Sequence, residues 1–183
     1  MYVAGRSNDK AEKAISKIKA EYPNSKGRLE FLLLDLADLS TIRHAAESFM
    51  ARESRLDVLT NNAGVMSTTP TWQTAQGYEL QLGTNAIGPF VFTKHLLPIL
   101  KKTAAIAPPG SVRVTWAGSL TVDVYSPKGG VQFDEKTGSP VLHKLSPVNY
   151  GQSKAANVFL ATEFAKRYGG DGIVSVVCQY SYI

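Results

Sequence analysis

Short apolar runs recurring at helix-length intervals constrain this chain more than any other feature. Leu29-Glu-Phe-Leu-Leu-Leu34 is the clearest. It is too short for a buried helix and too continuously apolar for a strand with one wet face, and it fits a strand covered on both sides. Tyr2-Val3-Ala4, Asp57-Val-Leu-Thr60, Ser111-Val-Arg-Val-Thr-Trp116 and Ile173-Val-Ser-Val-Val-Cys178 read as further strands. Helix signals lie between them. After the turn Gly5-Arg6-Ser7-Asn8, residues Asp9 to Tyr22 repeat Ala11, Ala14, Ile15 and Ile18 at three and four, until Pro23-Asn24. Asp35-Leu-Ala-Asp38 leads into a second helix to about Arg52, with Leu39, Ile42, Ala46 and Phe49 inward. A long helical region is expected from about Ala75 to Lys102, interrupted near Gly83–Pro89 and closed by Pro108-Pro-Gly110. The stretch Leu120–Leu145 carries Pro127, Gly129, Gly130, Gly138 and Pro140 and reads as an irregular insert. The last helix runs from Ser146 to Tyr168 and stops at Gly169-Gly170. This alternation implies an α/β fold, a doubly wound parallel sheet with helices on both faces. Ligands bind such sheets beyond the carboxyl ends of the strands. Arg6, Asp35, Asn61–Gly64 and Ser119 would converge there.

Composition narrows the function classes. The 183 residues are 44% hydrophobic and 19% charged, enough for one globular domain with a sizeable core. No apolar run approaches the ~20 residues that span a bilayer. The start, Met-Tyr-Val-Ala-Gly-Arg6, is too short and polar for a signal peptide. The formal charge of +5 is spread without a basic cluster among aromatics, which argues against nucleic-acid binding. His44, His95 and His143 show no metal-ligand spacing. The single Cys178 lies in an apolar run and reads as a small buried strand residue. These features fit a reducing compartment, and a cytoplasmic location is expected.

Chemistry concentrates in Ser146-Pro-Val-Asn-Tyr150-Gly-Gln-Ser-Lys154. Ser146 followed by Pro147 reads as a helix start with a hydroxyl cap. Tyr150 and Lys154 are four apart and lie on one helix face. A free phenol ionises near ~10, and an ammonium beside it favours the phenolate. Such a pair can pass a proton to or from a carbonyl or alcohol oxygen. Tyr and Lys at this spacing also occur on many solvated helix faces, so the pair needs company.

The company is present. Ala-Gly-Arg6 after the first strand, Asp35-Leu36, Asn61-Asn-Ala-Gly64, Asn85 inside the interrupted helix, and Ser119 followed by Tyr150-x-x-x-Lys154 stand in order along the chain. With these blocks the sequence resembles the short-chain dehydrogenase/reductase family. Gly-Tyr-Glu-Leu-Gln-Leu-Gly-Thr-Asn85 is similar to a block of its retinol-dehydrogenase-like subgroup, and Tyr-Ser-Pro-Lys-Gly-Gly-Val131 looks like fungal members. The resemblance implies one Rossmann-like domain over 1–183 and an oxidoreductase interconverting an alcohol and a carbonyl, with a lipophilic or secondary-metabolite substrate. It implies that Tyr150 passes the proton, that Lys154 favours the phenolate and bonds the nicotinamide ribose, and that Ser119 holds the substrate oxygen. Asn85 would hold a water linking Lys154 to solvent. The hydride belongs to the cofactor. Arg6, with Ser7 and Asn8 beside it, favours NADP, because an arginine at that strand end accommodates a 2′-phosphate. Asp35 and Leu36 would contact the adenine, and Asn62-Ala63-Gly64 would pass under the adenosine ribose. Lys94 would add a cofactor contact, or be a plain helix-surface lysine. Ser119 as a turn serine, Asn85 as a local helix-breaker and Arg6 as a solvated turn residue are the plainer alternatives. Trp116-Ala-Gly118 departs from the family's usual lead into the serine.

Two parts of the family pattern are not met. The Gly-rich phosphate loop normally precedes the residue matching Arg6 by about 20 residues, so the first strand with its loop is expected to be lacking. In the order 3-2-1-4-5-6 that strand lies between those of Val3 and Val58. Its loss leaves two inward edges unpaired or forces them together. After the fifth strand the chain reads Gln179-Tyr-Ser-Tyr-Ile183 where the family has a Pro-Gly segment, so a last strand is also expected to be lacking. The sequence therefore reads as a piece of such an enzyme. The competing reading is a non-catalytic remnant or interaction module that binds no cofactor. A third is assembly with another chain: Ala155, Ala156, Phe159 and Leu160 could pack in a homodimer, as that helix commonly does in the family, or be plain core.

Overall fold

Each apolar run becomes a short parallel strand. A computed structural model of the chain describes residues 1–66 and 68–179, and the tail beyond Gln179 lies outside the described residues. The strands are β1 (Tyr2–Gly5), β2 (Glu30–Leu33), β3 (Val58–Asn61), β4 (Val112–Ala117) and β5 (Ile173–Cys178). They form two pieces, β1 with β2 and β3-β4-β5, parallel throughout. Val3 stands opposite Phe31 in one piece, and Thr60, Thr115 and Val176 stand in line across the other. Among the described residues β1 and β3 do not pair, so each keeps an open edge where the expected order puts one more strand.

The connections are helices, as parallel pairing requires. Helix α1 (Asn8–Glu21) is capped by Ser7, whose side chain accepts from the Lys10 N–H. Helix α2 (Leu39–Arg52) is capped by Asp38, which accepts from Ser40 N at 3.0 Å. Helices α3 (Leu80–Leu82) and α4 (Gly88–Ala104) are joined by a π turn over Gly83–Ile87. A short α5 (Thr121–Tyr125) follows β4, and α6 (Ser146–Tyr168) precedes β5. Helices α2, α4 and α6 bury Ile42, Phe49, Leu96, Leu100 and Phe164 in one core with Leu32, Val112, Val114 and Trp116. Ala11 and Ile15 of α1 are buried outside that cluster, and α1 packs on β1 and β2. The other face of the three-stranded piece, with Val58, Val174 and Val176, is exposed.

Five local expectations change. Ala75–Glu79 is a turn, not helix: Gly77 has a φ of 81°, and Tyr78 N donates to Thr74 Oγ1. The interruption is a widened helical turn rather than a break, so Gly83 to Pro89 stays helical. Ser146 is the first helical residue of α6, and the cap position is Leu145, with no side-chain cap. The Ser146 hydroxyl instead accepts from Gln81 Nε2 at 3.3 Å. Cys178 is half-exposed, because β5 borders the uncovered face of the sheet. The insert is also less irregular than its composition suggests, since it holds α5 and an antiparallel bridge between Phe133 and Pro140.

Candidate active site

The N-terminal half of α6 lies against the carboxyl end of β4. Tyr150 and Lys154 share a face, with Lys154 Nζ 5.5 Å from the centre of the Tyr150 ring. Lys154 is 5% exposed, and its ammonium donates to the Ala117 carbonyl at 3.1 Å. Burial disfavours the charged form and lowers its pKa below the ordinary lysine value. Asn157, one turn on, donates to the same carbonyl at 3.0 Å. Two residues past Ala117, Ser119 Oγ accepts from Thr121 N at 3.2 Å and from Thr121 Oγ1 at 2.8 Å. Its own proton is left to give to a third oxygen. Gly151 lets α5 meet α6: a Cβ there would stand 3.0 Å from the Thr121 carbonyl, so α5 packs directly on the turn after Tyr150.

Asn85 sits in the π turn, 2% exposed, and joins the loop after β3 to α6. Its Oδ1 accepts from Val65 N at 2.7 Å, and its Nδ2 donates to Val65 O at 2.9 Å and to Ser153 Oγ at 3.0 Å. Ser153 donates in turn to the Tyr150 carbonyl at 2.8 Å. Gly64 leaves room for this bridge, since a Cβ there would stand 2.9 Å from Asn85 Oδ1. One lone pair of Oδ1 remains for a water.

The other predicted residues line the same rim. Arg6 is exposed just past β1, and Asp35 is half-buried past β2, its Oδ1 accepting from Ala37 N at 2.9 Å. Leu36 touches the start of α4: a Cβ on Gly88 would stand 2.4 Å from the Leu36 carbonyl. Asn62, Ala63 and Gly64 are exposed past β3. Lys94 does not join them. It is exposed on α4, with Nζ 3.4 Å from the hydroxyl of Tyr168 at the far end of α6. Of the dimer candidates, Ala155 is 2% exposed and Leu160 packs on the core, while Phe159 is 51% exposed.

A model of the short chain dehydrogenase family matches residues 1–125. The chain belongs to the short-chain dehydrogenase family. It is 47% identical over 178 residues to a short-chain dehydrogenase/reductase of Phomopsis amygdali, covering 96% of this chain and 52% of that protein. It is 44% identical over 178 residues to one of Emericella nidulans, covering 96% of this chain and 56% of that protein. Among solved structures it is similar to an NADPH-bound carbonyl reductase from chicken fatty liver, with a TM-score of 0.66, 25% identity, and 96% of this chain and 66% of that chain covered. The chain thus spans about half the length of these fungal relatives.

The family works with a nicotinamide dinucleotide, and the residues present fit its nucleoside ends. The backbone of Asn62–Gly64 is uncovered at the rim, and the buried Lys154 ammonium has donors beyond its one bond to Ala117, suited to ribose hydroxyls. Among the described residues no cluster of three His, Cys, Asp or Glu is placed to hold a metal, and no helix is long and apolar enough to cross a membrane.

Reasoning from sequence missed Asn149, Gln152, Ser153 and Asn157. All four are at most 2% exposed on α6. Ser153 and Asn157 lie to one side of Lys154 round the helix, whereas Asn149 and Gln152 lie nearly opposite it, so no single polar stripe marked the four, and polar helix residues alone read as solvated surface.

Proposed function

We propose that residues 1–183 carry, in one nucleotide-binding domain, the proton-handling part of an NADP-dependent oxidoreductase that interconverts an alcohol and a carbonyl. The observation that carries this is the buried Lys154 ammonium on the turn beside Tyr150, tied through Ala117 to the strand end that presents Ser119. A bound nicotinamide supplies or takes the hydride. Ser119 donates to the substrate oxygen and orients it. Tyr150 gives that oxygen its proton in reduction and takes it back in oxidation. Lys154 favours the phenolate and bonds the nicotinamide ribose, and Asn85 holds the water that reconnects Lys154 to solvent. Arg6 meets the 2′-phosphate of NADP. A lipophilic substrate is supported by the exposed Leu120, Val124, Leu142 and Leu145 around the insert. A cytoplasmic location belongs to the same reading, and cell fractionation checks it. The exposed Phe159 offers a homodimer contact, which sedimentation at increasing concentration checks.

The second reading is a remnant that binds no cofactor, and the open edges of β1 and β3 favour it. Titration with NADPH, followed by cofactor fluorescence, separates the two. Saturation at micromolar NADPH supports the enzyme, and no binding by a cooperatively melting chain supports the remnant. Where turnover is seen, Tyr150→Phe lowers it by about 10²–10⁴-fold with the melting temperature unchanged. Equal turnover in that variant removes Tyr150 from the chemistry.

A further inference from the structure

The insert is fastened to the helix that carries Tyr150 by two buried amides. Residues 132–141 form a small hairpin: Val141 N donates to Gln132 O at 2.8 Å, and Asp134 N donates to Ser139 O at 2.8 Å. Gln152, 2% exposed on α6, extends that ladder at its open end. Its Oε1 accepts from Gln132 N at 2.9 Å, and its Nε2 donates to Val141 O at 3.1 Å. Asn149, 1% exposed, repeats the pattern nearly one turn earlier. Its Oδ1 accepts from His143 N at 2.9 Å, and its Nδ2 donates to His143 O at 2.9 Å. Each amide thus stands in for a backbone peptide unit. Gly130 adds a close approach, since a Cβ there would be 2.8 Å from the Phe159 ring. Apolar side chains would pack a helix face without burying four polar atoms. What the amides add is direction, because each fixes one donor and one acceptor of the insert at a set position on the helix that carries Tyr150.

We propose that Asn149 and Gln152 are positioning residues that hold residues 128–145 on α6, so that the wall bearing Leu142 and Leu145 keeps a set distance from Tyr150. That wall then selects substrates with an apolar body next to the reacting carbonyl or alcohol. The selection rests on the reading of Tyr150 as the catalytic residue; the fastening does not.

Hydrogen exchange read by mass spectrometry tests the fastening on the 183-residue chain. Asn149→Leu and Gln152→Leu each leave a buried donor and acceptor unpaired, and exchange across 130–145 accelerates on the order of tenfold while 155–168 holds its protection. Ile42→Val, which trims a side chain fully buried in the core, serves as the control and loosens the molecule evenly. The same even loosening in the amide variants overturns the proposal. Gln152→Glu keeps the acceptor, loses the donor and gives an intermediate rate, which keeps the test open where a leucine variant does not fold. Reduction of 2-alkanones with NADPH tests the selection. In the leucine variants KM for 2-decanone rises about tenfold against 2-butanone, with kcat within about twofold. A fall in kcat at unchanged KM overturns the selection. Full turnover in Tyr150→Phe would sink the catalytic reading while leaving the exchange result standing.

Discussion

Lys154 is a buried cation without a carboxylate in ion-pair range among the described residues. Its burial costs stability, and one carbonyl offsets only part of that. The folded pKa lies below the ordinary value of 10.5, so the unfolded chain holds the proton to higher pH. Stability therefore rises as pH climbs from the folded pKa towards 10.5, and this contribution is flat below. Lys154→Met removes the penalty. Its melting temperature at neutral pH exceeds that of the parent by about 2–4 °C, for ~1 kcal/mol relieved, and the gap narrows in alkaline buffer. Calorimetry at the two pH values checks both, and a lower melting point at neutral pH would sink the account. Tyr150 and Lys154 were legible from their spacing, because four residues is one helical turn. Asn149, Gln152, Ser153 and Asn157 were not, because polar helix residues are buried only when distant segments, here the insert, the π turn and β4, fold against them.

Elements meet closely where a glycine permits it. Gly88 opens α4 against the Leu36 backbone, where a Cβ would stand 2.4 Å from the carbonyl oxygen. On an exposed helix Gly→Ala stabilises by about 1 kcal/mol. Here the sign reverses: Gly88→Ala costs about 1–3 kcal/mol, because α4 must move off Leu36. A urea titration reads this as a lower midpoint, and an unchanged midpoint would mean that the helix start yields freely. In the hairpin, Asp134 Oδ1 accepts from Thr137 N at 2.8 Å, Thr137 Oγ1 at 3.0 Å and Lys136 N at 3.0 Å. Those bonds, the Thr137 amide first, hold its pKa below the ordinary value of 3.8. The turn's order is thus present above that value and fades as pH falls through the folded pKa. Exchange at 134–139 should quicken in that acidic window and not before. The helix interruption near Asn85 was legible from Gly83 and Pro89. Its π geometry was not, since it depends on Asn85 being held by Val65 and Ser153.

At the scale of the molecule, the sheet is in two pieces joined through one helical core. The β1–β2 pair has two short strands, and α1 stands outside the main cluster. A two-stranded unit is marginal without packing on one face. Amides of α1 and β1 are therefore expected to exchange well before those of β4 and α6, and even protection across both pieces would refute this. Under the proposed function, cofactor choice also belongs here, because Arg6 on the smaller piece and Lys154 against the larger one would act on one ligand. Arg6→Ala should bring NADPH affinity down towards that of NADH, about tenfold for one charge-assisted contact, and leave NADH binding as it was. Equal losses for both cofactors would take Arg6 out of 2′-phosphate recognition.

By itself the sequence determined the parallel α/β alternation, the family, and the set of residues at the strand ends. Periodicity and spacing are local, and a doubly wound sheet puts the residues after each strand on one rim. Only the tertiary structure decided which polar groups are buried, that the insert is tied to α6, and that Lys94 turns to Tyr168. Those outcomes depend on which surfaces meet, and no local pattern encodes the partner a side chain will find across the fold.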